Sequence, residues 1–150
     1  MPNWCTNRVE ISGEAERVQQ FKKDVASEES IFDFNKIIPM PPELDVSSPP
    51  IDPEVAAKNI ENHGFPDWYH WRIVHWGTKW NIEIGPDHLN DEMDHLTYRF
   101  DTAWAPPQGI YDALVKKYPD LYFSWFYDEP DMELAGYLTR SSPPESQASV

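Results

Sequence analysis

Residues 75–84, His75-Trp76-Gly77-Thr78-Lys79-Trp80-Asn81-Ile82-Glu83-Ile84, join two hydrophobic periodicities through one glycine. Before them, Asp67-Trp68-Tyr69-His70-Trp71-Arg72-Ile73-Val74 reads as a short aromatic helix. Gly77 stands where a left-handed residue would end that helix, a backbone conformation that glycine adopts without steric cost. After it, Trp80, Ile82 and Ile84 alternate with Asn81 and Glu83, which predicts a half-buried strand over 79–84.

On the N-terminal side, Cys5, Asn7, Val9 and Ile11 alternate with Trp4, Thr6, Arg8 and Glu10, predicting a strand over 3–11. Asn7 is the one polar residue on its apolar face. Ala15, Val18, Phe21 and Val25 form a helical stripe over 14–26. Prolines at 39, 41 and 42 exclude a central strand after Phe32 and Phe34. Residues 43–52 read as a loop, with Ser47-Ser48-Pro49-Pro50 its most flexible part, and Asp52-Pro53 as a helix start. Residues from about 38 to 77 therefore form an insertion.

Toward the C-terminus, 87–95 reads as a polar, acidic loop, and Leu96, Tyr98 and Phe100 predict a strand over 95–102. A helix follows over 107–118. Residues 121–128 are apolar on both faces, as a central strand requires. Residues 133–139 return as an edge strand, and 141–150 form a polar tail expected to be mobile. The order β-α-(insertion)-β-β-α-β-β is α+β. It predicts a ferredoxin-like split βαβ sandwich in a single domain over 1–140, an antiparallel sheet with both helices on one face.

The 150 residues carry 26 acidic and 12 basic side chains, a formal charge of −14. That balance argues against direct nucleic-acid binding, which needs clustered Lys and Arg. One cysteine excludes an internal disulfide and any four-cysteine metal site. No apolar run reaches membrane-spanning length, and the N-terminus lacks a signal peptide's pattern, so a cytoplasmic protein is expected.

Four segments carry a family resemblance: Met1-Pro2-Asn3-Trp4-Cys5-x-Asn7, the run Phe32 to Pro41, Trp76-Gly77-Thr78-Lys79-Trp80, and Phe100-x-Thr102-Ala103-Trp104-x-Pro106-Pro107. Together they resemble the YubB ferredoxin-like family, small proteins carried mainly by bacterial plasmids and phages. The resemblance implies this fold and a mobile-element origin, and it supplies no catalytic residues.

The chemistry-bearing residues fall into three groups. His75, Trp76, Lys79, Trp80 and Trp104 outline a candidate pocket in which Lys79 meets an anion, whether bound or turned over; the alternative is that the tryptophans join insertion to sheet. Asp87, Asp91, Glu92 and Asp94, then Asp128, Glu129, Asp131 and Glu133, outline a candidate acidic surface. Trp4, Tyr122, Phe126 and Tyr137 are candidates for stacking RNA bases on the helix-free face, unless the insertion covers them. His88, Asp91, Asp94 and His95 share one loop, yet charge-rich loops are usually solvated, and no metal or cofactor is expected. Cys5, on the core face, should behave as a small hydrophobe.

The function expected is a non-catalytic binding protein of mobile-element origin. Its expected partner is a host protein with a basic surface, which it would occupy as an acidic decoy of nucleic acid.

Overall fold

The structure, a computed structural model, describes residues 3–45 and 52–140. The stretch 47–50 read as flexible and the tail 141–150 lie outside the described residues. Strand β1 (Trp4–Ser12) buries Cys5, Asn7, Val9 and Ile11, as its alternation demands. Helix α1 (Ala15–Asp24) follows with Val18 and Phe21 buried. Helix α2 (Phe34–Ile37) precedes the insertion, and three helices lie within it: α3 (Pro42–Asp45), α4 (Pro53–His63) and α5 (Trp68–His75). Asp52 caps α4 by accepting from Glu54 N, and Gly64 ends it at φ 82°. Asp67 caps α5, and Gly77 follows at φ 90°.

After a short 3₁₀ turn come β2 (Leu89–Asp91), β3 (His95–Ala103), α6 (Gln108–Lys117), β4 (Tyr122–Glu129) and β5 (Leu134–Tyr137). The sheet order is β2-β3-β1-β4-β5 and every pairing is antiparallel. This is the α+β ferredoxin-like sandwich with an added edge strand, as expected. Both principal helices share a face. Phe21 of α1 packs edge-on to Phe123 (5.6 Å) and Tyr111 of α6 to Trp125 (6.1 Å), and Phe123 and Trp125 lie on one side of β4.

The strand expected over 79–84 is corrected. Those residues pair with no strand; the place beside β3 belongs to 89–91, inside the stretch read as an acidic loop. Ile84 N donates to Ser30 Oγ (3.0 Å), Ile31 N donates to Ile84 O (3.0 Å), and Phe34 N donates to Asn81 Oδ1 (3.0 Å). Residues 81–84 thus run alongside 31–34. The apolar alternation of Ile82 and Ile84 records burial in the core rather than membership of a ladder.

The segment from Phe32 through the insertion packs on the helix side. Phe32 meets Tyr98 at 4.9 Å and Trp125 at 6.2 Å, while α2 and α5 both touch α6. Gly109 N donates to Trp76 O (3.2 Å), and a Cβ on Gly109 would fall 1.9 Å from His75 O. No side chain fits there. The other sheet face keeps Trp4, Tyr122 and Tyr137 exposed, so the insertion does not cover those aromatics.

Asn7 is fully buried among β1, β3 and β4. Its amide donates to Thr102 Oγ1 (3.0 Å) and its oxygen accepts from Trp125 Nε1 (2.9 Å). Tyr98 is also fully buried, yet its hydroxyl has no hydrogen-bond partner among the described residues. The two positions should respond oppositely. Asn7→Ala orphans the Trp125 N–H and leaves a cavity, a loss of about 3 kcal/mol. Tyr98→Phe removes an unsatisfied hydroxyl and should be neutral or stabilising by about 1 kcal/mol. Urea unfolding midpoints of the two variants check both values.

Candidate functional site

The five residues of the expected pocket do not form one pocket. Trp76 is 1% exposed, donates from Nε1 to Ile38 O (3.0 Å), and stands edge-on to Phe34 (5.8 Å) and Trp71 (5.7 Å). His75 lies against Trp71 at 4.4 Å and Phe65 at 5.4 Å, and burial lowers its pKa. Both belong to the packing of the insertion on α2 and α6. Lys79 instead is half-buried beside Trp80, its Nζ 4.4 Å from the Trp80 ring centre.

Trp80 is 38% exposed and meets Trp4, 43% exposed, with ring centres 6.0 Å apart. The alternation in β1 put Trp4 on the open face, but nothing in the sequence placed it against Trp80. Trp104 follows the residue paired with Trp4, is 51% exposed, and has φ 72°. A bulky residue in the left-handed region costs about 1–2 kcal/mol and is uncommon. Beside Trp4 and Trp80 opens a cleft of about 270 Å³, lined by residues 80–84 and by Asp101, Thr102 and Ala103. Glu83 and Asp101 are both exposed there.

The acidic candidates separate. Gly13 N donates to Asp94 O, and Ser12 faces His95, so Asp91, Glu92 and Asp94 crowd the C-terminal end of β1. Asp128 faces Thr6 near the other end, with Asp131 and Glu133 beyond it. Six residues of strand, about 20 Å, lie between the two registers. The two segments therefore do not build one face. Asp91 is occupied structurally: it accepts from Lys22 Nζ (2.8 Å), which heads the causes lowering its pKa, and from Gln19 and Met93 N. Asp87 lies 3.3 Å from His88, and Glu129 is 9% exposed, too buried to serve a surface. His95 Nε2 approaches Glu10 at 3.2 Å, and no three ligand-type residues converge on a metal position among the described residues.

On the bare face the register sets Arg99, Arg8, Phe126 and Tyr137 in one row across four strands. Arg8 lies over Phe126 at 5.2 Å, and Phe126 meets Tyr137 at 5.2 Å. The next row holds Asp101, Thr6 and Asp128, so the two guanidiniums face carboxylates two residues away.

Residues 75–146 match the family model described as the ferredoxin-like domain in Api92-like protein. The crystal structure of the api92 protein from Yersinia pseudotuberculosis resembles this chain with a TM-score of 0.55 at 12% identity. The match covers 91% of this chain and 93% of that one. At that identity the likeness shows the fold. No curated protein matches the chain. No helix among the described residues is long and apolar enough to cross a membrane.

Trp76→Ala should cost about 3–5 kcal/mol, whereas Trp80→Ala, already partly in water, should cost about 1 kcal/mol; thermal unfolding of each checks the difference. Cys5 is fully buried, and burial, with Glu129 beside it, pushes its thiol up to about 11 from 9.0. A thiol reagent at neutral pH should label the native protein slowly and the denatured protein at once. Because the fold holds this proton more tightly than the unfolded chain does, the stability it contributes is intact below pH 9. It drains away as the pH rises toward 11, and Cys5→Ala should flatten that loss.

Proposed function

We propose that this chain is a non-catalytic binding protein of plasmid or phage origin, related to the YubB proteins, that acts in the cytoplasm. Its partner is a host protein with a basic surface, whose nucleic-acid groove it occupies as a decoy. The observation that carries this reading is the end of the sheet where Trp4, Trp80 and Trp104 stay exposed amid Glu83, Asp101, Asp128, Asp131 and Glu133. Exposed tryptophans are the side chains that most often dominate an interface, and a rim of carboxylates sets the charge of what docks there. The formal charge of −14 extends the same attraction over longer range. The acidic hairpin at the far end, Asp87, Glu92 and Asp94, contributes to steering only.

A second reading, single-stranded RNA on the bare face, is favoured by the half-buried Phe126 and the exposed Tyr137 beside Arg8 and Arg99. The neighbouring carboxylates and the net charge oppose phosphate there, so it ranks below the first.

The test compares association rates with a partner recovered from host lysate, over a salt series. Asp101→Asn/Asp128→Asn/Asp131→Asn should slow association about tenfold at low salt and leave stability within 1 kcal/mol. Asp87→Asn/Glu92→Gln/Asp94→Asn should slow it less. Equal, salt-insensitive rates for wild type and both variants would remove the basic partner.

A further inference from the structure

The cleft beside Trp80 lies against a strand edge that is not paired. Trp104 N donates to Asn3 O (2.8 Å), so even-numbered residues of β3 turn their backbone groups toward β1. Glu92 N donates to His95 O (2.9 Å) on the opposite edge, which sets the same phase for the odd-numbered ones. On that outer edge β2 pairs only with residues 96–98. Ala103 O is taken by the Thr78 hydroxyl (2.8 Å). Between them the N–H and C=O of Asp101 point away from β1, into the cleft, with no backbone partner among the described residues.

The facing wall has the same property. Ile84 turns its N–H to Ser30 and its C=O to Ile31, and Ile82 turns its N–H to Asn81 Oδ1, which also accepts from Phe34 N, so alternate residues of 81–84 face 30–34. In an extended chain the neighbouring residue turns its backbone the other way. Glu83 therefore directs its N–H and C=O toward β3. Backbone donors and acceptors face each other across the cleft from Asp101 and Glu83, and Ile82 and Ile84 line it.

We propose that this cleft receives an extended, basic peptide segment of the partner, which enters between β3 and residues 81–84 as an added strand. The inference rests on the binding-protein reading and specifies its mode. Main-chain hydrogen bonds to Asp101 on one side and Glu83 on the other hold the segment. Its alternate side chains divide: Lys or Arg toward the carboxylates of Asp101 and Glu83, small apolar groups toward Ile82 and Ile84. The paired rings of Trp4 and Trp80 close one end. The charge of the cleft selects a basic segment over an acidic one.

The probe is a seven-residue peptide of alternating Lys and Val, followed by tryptophan emission and by amide exchange of the full chain. Controls are a Glu/Val peptide and two Lys/Val peptides N-methylated at alternate residues, one for each hydrogen-bonding edge. The Lys/Val peptide should shift the emission, an effect reduced in Trp80→Ala, and should slow exchange of the Asp101 and Glu83 amides at least tenfold. Each N-methylated peptide and the Glu/Val peptide should bind at least tenfold more weakly. N-methylated peptides that bind as well as the parent would overturn strand insertion and leave a purely electrostatic contact. So would failure of every peptide while the lysate partner still binds with the salt dependence described above. Failure of both the peptides and the salt dependence would remove the basic-partner reading as well.

Discussion

The sheet depends on one buried amide. Asn7 lies on the core side of the central strand, where its NH₂ reaches Thr102 of β3 and its oxygen receives the indole N–H of Trp125 in β4. Thr102 passes the chain of hydrogen bonds on to Ala105 O (2.7 Å), where β3 leaves the sheet. A polar group in an apolar layer is tolerated only when its partners are placed, and these are fixed by register. A slip of one residue in either pairing would turn Asn7, or its partner, to the opposite face. The amide thus specifies alignment along three strands at once, and it lets the Trp125 indole be fully buried without an orphaned donor.

With that alignment set, the insertion has one place to go. Phe32 and Phe34 enter the helix side against Tyr98, Phe100, Trp125 and Trp76. The contact of Gly109 with His75 O draws the end of α5 onto the start of α6. These anchors spend the insertion's apolar surface on one side of the sheet, so the opposite side stays open. They also explain the position of residues 81–84. Their backbone is held at Ile84 by Ser30 and Ile31, while the Asn81 side chain accepts from Phe34 N, so they follow 31–34 rather than the edge of β3.

Much of the fold is legible because periodicity and capping are local. β1, β3 and β4, both main helices, the Asp52 cap and the Gly77 stop follow from residues within one turn or one strand of themselves. The misreading at 79–84 has a different origin. Alternation reports that every second side chain is buried, and an extended segment tucked against 31–34 satisfies it as well as a strand does. Conversely, β2 leaves no such signal because it is three residues long, with Leu89 half-buried and Asn90 and Asp91 exposed, too short to alternate. The candidate site was legible in part. Trp80 and Lys79 stand at it, but Trp76, adjacent to them in sequence and of the same type, turns its ring inward. Trp4 is 76 residues from Trp80, and Asp128 and Asp94 diverge only through the register of β1. Those relations are set by strand pairing, which no local pattern encodes.

The short β2 also bears on why the site can exist. An uncovered strand edge is a template for aggregation, and proteins usually blunt such edges with charge or with a covering segment. Both devices occur here. Asp101 and Glu83 place carboxylates on the two walls, and residues 81–84 stand across from β3 without closing on it. Two copies of the chain would oppose like charges at this edge, so self-pairing is disfavoured. A basic segment meets the reverse situation. The features that keep the edge from pairing with another copy of the chain are the ones that admit a partner of opposite charge.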